Sequence, residues 1–395
     1  MIEVKVLKHK KEKAILIGRH HQKLKLNTLN EYLDELEFLA STLNIETVCK
    51  FTQSIEKPDK KTFLGSGKLE EVKEYIQGFE IETAIFDDEL TASQVRNIEK
   101  ELGVKIYDRN LLILDIFLLR AQTSQAKTQV ELARAQYLLP RLTRMWTHLE
   151  RQRGGTATRG GAGEKEIETD KRVIRDKITR LRKKLDKIEQ QNATQRKNRK
   201  GIVSLALVGY TNVGKSTLMN NLTKANILAE DKLFATVDST VRKINLDGIP
   251  CVISDTVGFI RKLPTFLVES FKSTLDEIKY SDILLHVVDI SDPCFDAKIE
   301  TVNDILAQLK STEKPTIIIF NKTDKFEEGK SEIEIADFYA YLNQTFSSHN
   351  VSTICLSGID KKNLGPLRAV IRSEALKIFK TIYPNYLDYG FQIEE

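Results

Sequence analysis

VSLALVGYTNVGKST, running from Val203 to Thr217, joins a six-residue apolar run to a loop with the spacing G-x-x-x-x-G-K-S, and then to the helical pattern TLMNNLTKA. An apolar run that turns through glycine into a helix reads as the first strand, loop and helix of an α/β fold. Gly209 and Gly214 let the backbone curl, so that successive N–H groups across Tyr210, Thr211, Asn212 and Val213 point inward at an anion. Lys215 brings a cation to the outer phosphates of a nucleotide, the Ser216 hydroxyl is a ligand for Mg²⁺, and Thr217 carries the loop into the helix N-terminus.

Working outward, the companions of such a loop follow in order, each behind its own apolar strand. Strand CVIS ends in DTVG, where Asp255 can hold Mg²⁺ through water and the Gly258 N–H can meet a γ-phosphate. ILLHVVDIS, with Asp289, reads as a further core strand. PTIIIF leads into Asn321, Lys322 and Asp324 of NKTD. A carboxylate at Asp324 can accept from both N1–H and the exocyclic amine of guanine; adenine offers neither donor and would leave a buried charge unpaired. STICLSG adds Ser357 and Gly358, where a backbone N–H can meet the guanine O6. The reading is a doubly wound P-loop NTPase G domain that binds GTP and GDP with Mg²⁺, and NKTD argues against its ATPase rival. Lys215, Thr236 and Gly258 are the candidate catalytic residues, and Ser216, Thr236 and Asp255 the candidate metal ligands. Thr236 comes from the first-switch segment LFATVDSTVRK, in which Thr240 is the alternative. Phe259 stands where many GTPases carry a water-orienting glutamine, so hydrolysis by the free protein should be slow and depend on groups supplied elsewhere.

Upstream, residues 1–109 alternate short apolar runs (AILIG, ETVCKF, TAIFD, VKIYD) with helical patterns, predicting a small N-terminal parallel α/β domain. Residues 110–198 change character. Leu132, Ala135, Leu139, Leu142, Trp146 and Leu149, then Ile174, Ile178, Leu181, Leu185 and Ile188, recur at steps of 3 and 4, the spacing of two amphipathic helices. Five glycines between Gly154 and Gly163 separate them, so a long antiparallel helical hairpin with an irregular tip is expected. Pro140 should kink or break the first helix, and QQNATQRKNRKG (Gln190 to Gly201) reads as a linker. Residues 199–375 are the expected G domain, with a short tail over 376–395.

The chain has 395 residues, 41% hydrophobic and 30% charged, which suits two or three domains of a soluble protein. No apolar run suggests a membrane span, the start lacks a secretory signal, and Cys49, Cys251, Cys294 and Cys355 form no metal or redox pair. The expectation is a cytoplasmic monomer, with room for peripheral membrane association. Residues 141–200 hold 19 Lys or Arg against 8 Asp or Glu in a chain of net charge +5, so the rest is acidic. A basic segment in an acidic protein points to a polyanionic partner.

With these residues in hand, the chain resembles the HflX family of ribosome-associated GTPases over nearly its full length. FLGSGK from Phe63, FDDEL from Phe86, YDRNLLILDIFLLRAQT from Tyr107, QVELARAQYLLPRL from Gln129, the glycine-rich tip before EIETDKR, and FATVDST followed by DTVGFIRKLP carry the resemblance. It implies binding to the large (50S) ribosomal subunit and its RNA, and a role in splitting or rescuing stalled or idle ribosomes. Arg141, Arg144, Arg151, Arg153 and Arg159 at the tip are then candidate RNA contacts. A GTP-dependent RNA-modification or assembly factor is the alternative, though nothing resembles a methyl-donor site. Asn212 resembles the asparagine of potassium-activated GTPases, which implies K⁺. The sequence departs from the family in GGAGE (Gly160 to Glu164) where G-P-G-E is usual, in Ser239 where proline is usual, and in the roughly 37 residues left after Gly358, without a larger C-terminal extension. Gly65 to Lys68 lack phosphate-loop spacing and read as a turn capping the next helix.

Overall fold

The structure is a computed structural model that describes residues 11–20, 26–141, 162–197, 201–223, 234, 240–262 and 272–384. Thr236 and Ser239, most of the glycine-rich tip, and Arg144, Arg151, Arg153 and Arg159 lie outside the described residues. The chain divides into two compact units, one of residues 1–119 with 128–184 and one of 120–127 with 185–395. The divisions fall inside helices rather than at the boundaries expected from composition.

In the first unit, strands β1 (Glu12–His20), β2 (Ile45–Ser54), β3 (Thr83–Phe86) and β4 (Lys105–Asp108) form a sheet of order β2-β1-β3-β4 with every pair parallel. Helices α1 (Leu26–Thr42), α2 (Ser66–Phe79) and α3 (Ala92–Leu102) are the crossovers that parallel pairing requires. AILIG is buried along its length, as a strand covered on both faces must be. Local chemistry sets the helix ends. Thr91 and Gln94 make a reciprocal capping box at the start of α3, and Gly103 ends it in the left-handed region at φ 71°. Gly65 sits at the start of α2, as the turn reading of GSGK required.

Helix α4 (Arg109–Arg120) begins at YDRN. Asp108 accepts from the Leu111 N–H at 2.8 Å and from Leu90 N–H at 3.2 Å, which caps α4 and ties it to the FDDEL turn. Burial raises the Asp108 pKa, and Arg141 acts against that rise. Arg141 has an internal role that the sequence did not announce. Its guanidinium donates to the carbonyls of Leu90 (2.8 Å) and Tyr137 (3.0 Å), pairs with Glu89 and Asp108, and lies 3.6 Å over the Tyr137 ring. With 12% of its side chain exposed, it braces the fold through these contacts.

Helix α5 (Ser124–Leu138) stops just before Pro140, and α6 (Ala162–Lys197) is 36 residues long. Ile174, Ile178, Leu181, Leu185 and Ile188 are the sheltered positions of α6 among exposed neighbours, so the predicted seam is real. Lys177 pairs with Glu131 and Asn192 donates to Gln125, contacts that run antiparallel. Two boundaries differ from expectation. Gly163 lies in the first turn of α6, and the stretch read as a linker from Gln190 is helical to Lys197, because it holds no Gly or Pro before Gly201 to stop an established helix.

The second unit holds a six-stranded sheet of order β10-β9-β8-β5-β7-β6, from β5 (Val203–Val208), β6 (Thr240–Leu246), β7 (Ile249–Asp255), β8 (Ile283–Asp289), β9 (Thr316–Asn321) and β10 (Val351–Cys355). All pairs are parallel except β6 with β7, a hairpin turning at Asp247 and Gly248 with φ 48° and 90°. Helices α7 (Lys215–Thr223), α8 (Lys272–Tyr280), α9 (Phe295–Gln308), α10 (Thr323–Glu327), α11 (Glu332–Phe346) and α12 (Leu364–Ile382) complete the described part. The tail expected from residue 376 is still helix as far as Ile382.

Arg109 is 1% exposed and paired with Asp87 at 2.9 Å and with Glu35. Removing one partner of a buried ion cluster leaves uncompensated charge and costs about 3–5 kcal/mol. Arg109→Ala is therefore expected to lower the unfolding free energy of the N-terminal unit by that amount in denaturant titration.

Candidate functional site

The phosphate loop leaves β5 at Gly209 and enters α7 at Lys215. Three of its residues have positive φ: Gly209 (146°), Asn212 (61°) and Gly214 (94°). At Gly209 a Cβ would stand 2.3 Å from the Val287 carbonyl oxygen, and at Gly214 2.4 Å from Asn321 Nδ2. Both glycines are thus required by conformation and by space, and alternation of this kind turns successive N–H groups inward to make an anion cradle.

Lys215 Nζ donates to the carbonyls of Gly209 (3.1 Å) and Tyr210 (2.7 Å). Burial brings its pKa down to about 8, with nearby Asp255 pulling the other way. Ser216 Oγ donates to Asp255 Oδ2 at 2.7 Å, and Asp255 is fully buried at the tip of β7. A hydroxyl and one carboxylate held together, next to a phosphate cradle, are the hard oxygen donors Mg²⁺ takes when substrate phosphates and water complete its shell. Thr240, the alternative switch threonine, sits in register opposite Asp255 but lies with its hydroxyl 4.0 Å from the Met219 sulfur.

The segment after Asp255 is zipped to the loop. Phe259 N–H donates to the Gly209 carbonyl (3.1 Å), Thr211 N–H to the Phe259 carbonyl (2.8 Å), and Arg261 N–H to Tyr210 Oη (2.7 Å). Gly258 is pressed against the loop, since a Cβ there would meet Thr211 Cγ2 at 2.8 Å and Lys215 Nζ at 2.9 Å. The Phe259 ring is 1% exposed in a core with Val208, Leu275, Ile278 and Leu284.

Asn321, at the end of β9, donates from Nδ2 to the Val213 carbonyl at 2.8 Å and accepts the Gly358 N–H on Oδ1 at 2.9 Å. Lys322, at φ 63°, pairs with Asp289 at 2.7 Å. Asp324 accepts from Ser357 Oγ at 2.7 Å, and that oxygen also accepts from the Asp360 N–H at 3.1 Å. The Gly358 carbonyl accepts from Asn221 at 2.7 Å, and Thr217 Cγ2 lies 3.8 Å from where a Gly358 Cβ would stand. Of the residues the sequence proposed for the nucleotide, all but Thr236 are described, and the loop, Asp255, NKTD and Ser357 segments converge at the carboxyl ends of β5, β7 and β9.

Three contributors carried no recognisable sequence signal: Asn221, Arg261 acting through its backbone, and His286. His286, in the apolar run of β8, is 2% exposed; burial, and then the charge of Lys215, push its pKa down to about 4. Below the ordinary value of 6.5 the unfolded chain takes up a proton that the folded domain refuses. Stability is therefore whole above pH 6.5 and falls toward pH 4, by about 3 kcal/mol in all. Chemical denaturation across pH 7 to 4 should show that loss, and His286→Leu should remove most of it.

Comparison with known proteins agrees with this geometry. Residues 30–118 match the family described as GTP-binding GTPase N-terminal, residues 120–199 its GTP-binding GTPase Middle Region, and residues 204–322 the 50S ribosome-binding GTPase family. GTPase HflX of Flavobacterium psychrophilum is 57% identical over 316 residues, 80% of this chain and 76% of its own length. GTPase HflX of Escherichia coli is 42% identical over 307 residues, 77% of this chain and 72% of its own. The crystal structure of SsGBP in complex with GDP matches with a TM-score of 0.52 and 27% identity, covering 93% of this chain and 99% of that one. With relatives this similar over this much of its length, and with a loop built to cradle phosphates, the chain belongs to the HflX family of GTPases.

Proposed function

We propose that this GTPase binds the large ribosomal subunit in its GTP state, separates or rescues stalled or idle 70S ribosomes, and leaves after hydrolysing GTP to GDP. The observation that carries the reading is Asn321, which holds the phosphate loop and the Ser357–Gly358 turn on either side of Asp324 and so makes one pocket for phosphates and base. In it, the loop amides and Lys215 grip the phosphates, Asp324 reads the guanine edge and the Gly358 N–H segment borders O6. Ser216 directly and Asp255 through water would hold Mg²⁺, which neutralises charge on the outer phosphates when bound; Thr236 would join them. Asn212, placed in the left-handed region on the loop, is the residue for a K⁺ ion. Along α6, Arg172, Arg175, Arg180, Arg182, Lys183, Lys184 and Lys187 face solvent, a cationic stripe suited to RNA phosphates.

Binding should be gated by the nucleotide. Sedimentation with 70S ribosomes and 50S subunits should show retention on 50S, and loss of 70S, with GTP or a non-hydrolysable analogue but not with GDP. Asp324→Asn replaces an acceptor by an amide donor, and is expected to move this dependence from GTP to xanthosine triphosphate, whose C2 carries an oxygen. Ribosome binding that ignores the nucleotide would refute the proposal. Turnover should be faster in K⁺ than in Na⁺ at equal ionic strength, and Asn212→Ala should equalise the two.

A further inference from the structure

Phe259 has no capacity to direct water, because its ring is spent in the core and both its backbone groups are spent on the loop. Among the residues around Gly258, Thr211 carries a buried polar atom that no described residue engages. The residue is 6% exposed, its N–H is satisfied by the Phe259 carbonyl at 2.8 Å, and its Oγ1 is buried with no hydrogen-bond partner among the described residues. Burying a hydroxyl in this way is unfavourable, and valine would fill the same space without that penalty. Packing therefore does not account for threonine here.

Its position suggests what does. A Cβ on Gly258 would meet Thr211 Cγ2 at 2.8 Å, Thr211 Cα at 2.9 Å and Lys215 Nζ at 2.9 Å. The threonine side chain, the cation meant for the outer phosphates and the first glycine of the segment after Asp255 thus meet at one point. Lys215 rests on the carbonyls of Gly209 and Tyr210. A terminal phosphate that draws Lys215 off those carbonyls lies beside Thr211.

We infer that Thr211 is a further catalytic residue, whose hydroxyl donates to the terminal phosphate of GTP and accepts a hydrogen bond from the attacking water. The inference rests on the reading of this pocket as the site of hydrolysis. In the step, the water oxygen bonds to the γ-phosphorus while the bond from that phosphorus to the bridging oxygen of GDP breaks and its electron pair leaves with GDP. The water's protons pass to the released phosphate and to solvent. Thr211 keeps its own proton throughout and acts by alignment, since a hydroxyl is too weak a base at neutral pH to do more.

The test compares Thr211→Val, which keeps the shape and removes the hydroxyl, with Thr211→Ser, which keeps the hydroxyl. Single-turnover GTP hydrolysis with 50S subunits present should fall about tenfold to a hundredfold in the valine variant and stay within about threefold in the serine variant. Affinity for GDP should be unchanged in both, while affinity for GDP with aluminium fluoride, a mimic of the γ-phosphate in transfer, should fall in the valine variant alone. The ligand-free melting temperature of Thr211→Val should be no lower than that of the parent protein. Wild-type turnover in the valine variant, an equal loss in the serine variant, or a lower melting temperature for valine would each overturn the inference. Failure of the underlying reading would show separately, as a parent protein that does not hydrolyse GTP even with 50S subunits.

Discussion

One side-chain amide holds the site together. Asn321 spans from the Val213 carbonyl, 108 residues upstream, to the Gly358 N–H, 37 residues downstream. Both bonds are buried, where an amide left half satisfied is costly. Neither loop can drift from the other without breaking one of them. In the proposed site, phosphate binding and base reading belong to segments far apart in sequence, and this bridge ties those segments together. Asp324 benefits directly, because Ser357 orients its carboxylate and the neighbouring Gly358 is pinned by Asn321 and Asn221.

The phosphate loop is the least comfortable part of this arrangement. Three positive-φ residues in six, a buried lysine resting on the loop's own carbonyls, and a buried histidine all work against stability. What opposes them is the sheet. Ser254 and Thr256 hydroxyls tie to the carbonyls of Leu205 and Leu207, α12 reaches the end of α7 through Arg368 to the Leu222 carbonyl, and the Phe259 zipper closes the far side. An anion entering such a cradle replaces internal carbonyls as the partner of Lys215, so binding energy is available from groups that folding alone leaves in poor company.

Much of this was legible in the sequence, for reasons that differ by element. Buried parallel strands announce themselves as apolar runs, and G-x-x-x-x-G-K-S fixes its own backbone, so both α/β units and the phosphate loop were readable directly. Asp255, Asn321 and Asp324 were readable as a set because each stands at or just beyond the end of an apolar strand. The bridging role of Asn321 was not, since nothing in NKTD says which backbone groups will come within reach. The bracing role of Arg141 was not readable, because cationic composition near a glycine-rich tip does not reveal a carboxylate at Asp108 and a ring at Tyr137 that engage it. The β6–β7 hairpin was not read from the sequence, although its turn at Asp247–Gly248 is a pair suited to two successive left-handed residues. His286 looked like any residue of an apolar strand, because periodicity reports burial and not its electrostatic consequence.

Phe259 shows why catalysis here is divided. Burying a phenylalanine ring is worth about 2–3 kcal/mol, and this ring joins β5, α8 and β8 in one cluster. A glutamine in its place would bury an amide in a cluster of apolar side chains. The position that elsewhere orients water is thus committed to holding the fold. Water must then be oriented by groups that cost the core nothing, either on the loop itself or on whatever docks beside it. Under the proposed function, such a division would leave the isolated protein a poor catalyst and make its rate respond to what is bound.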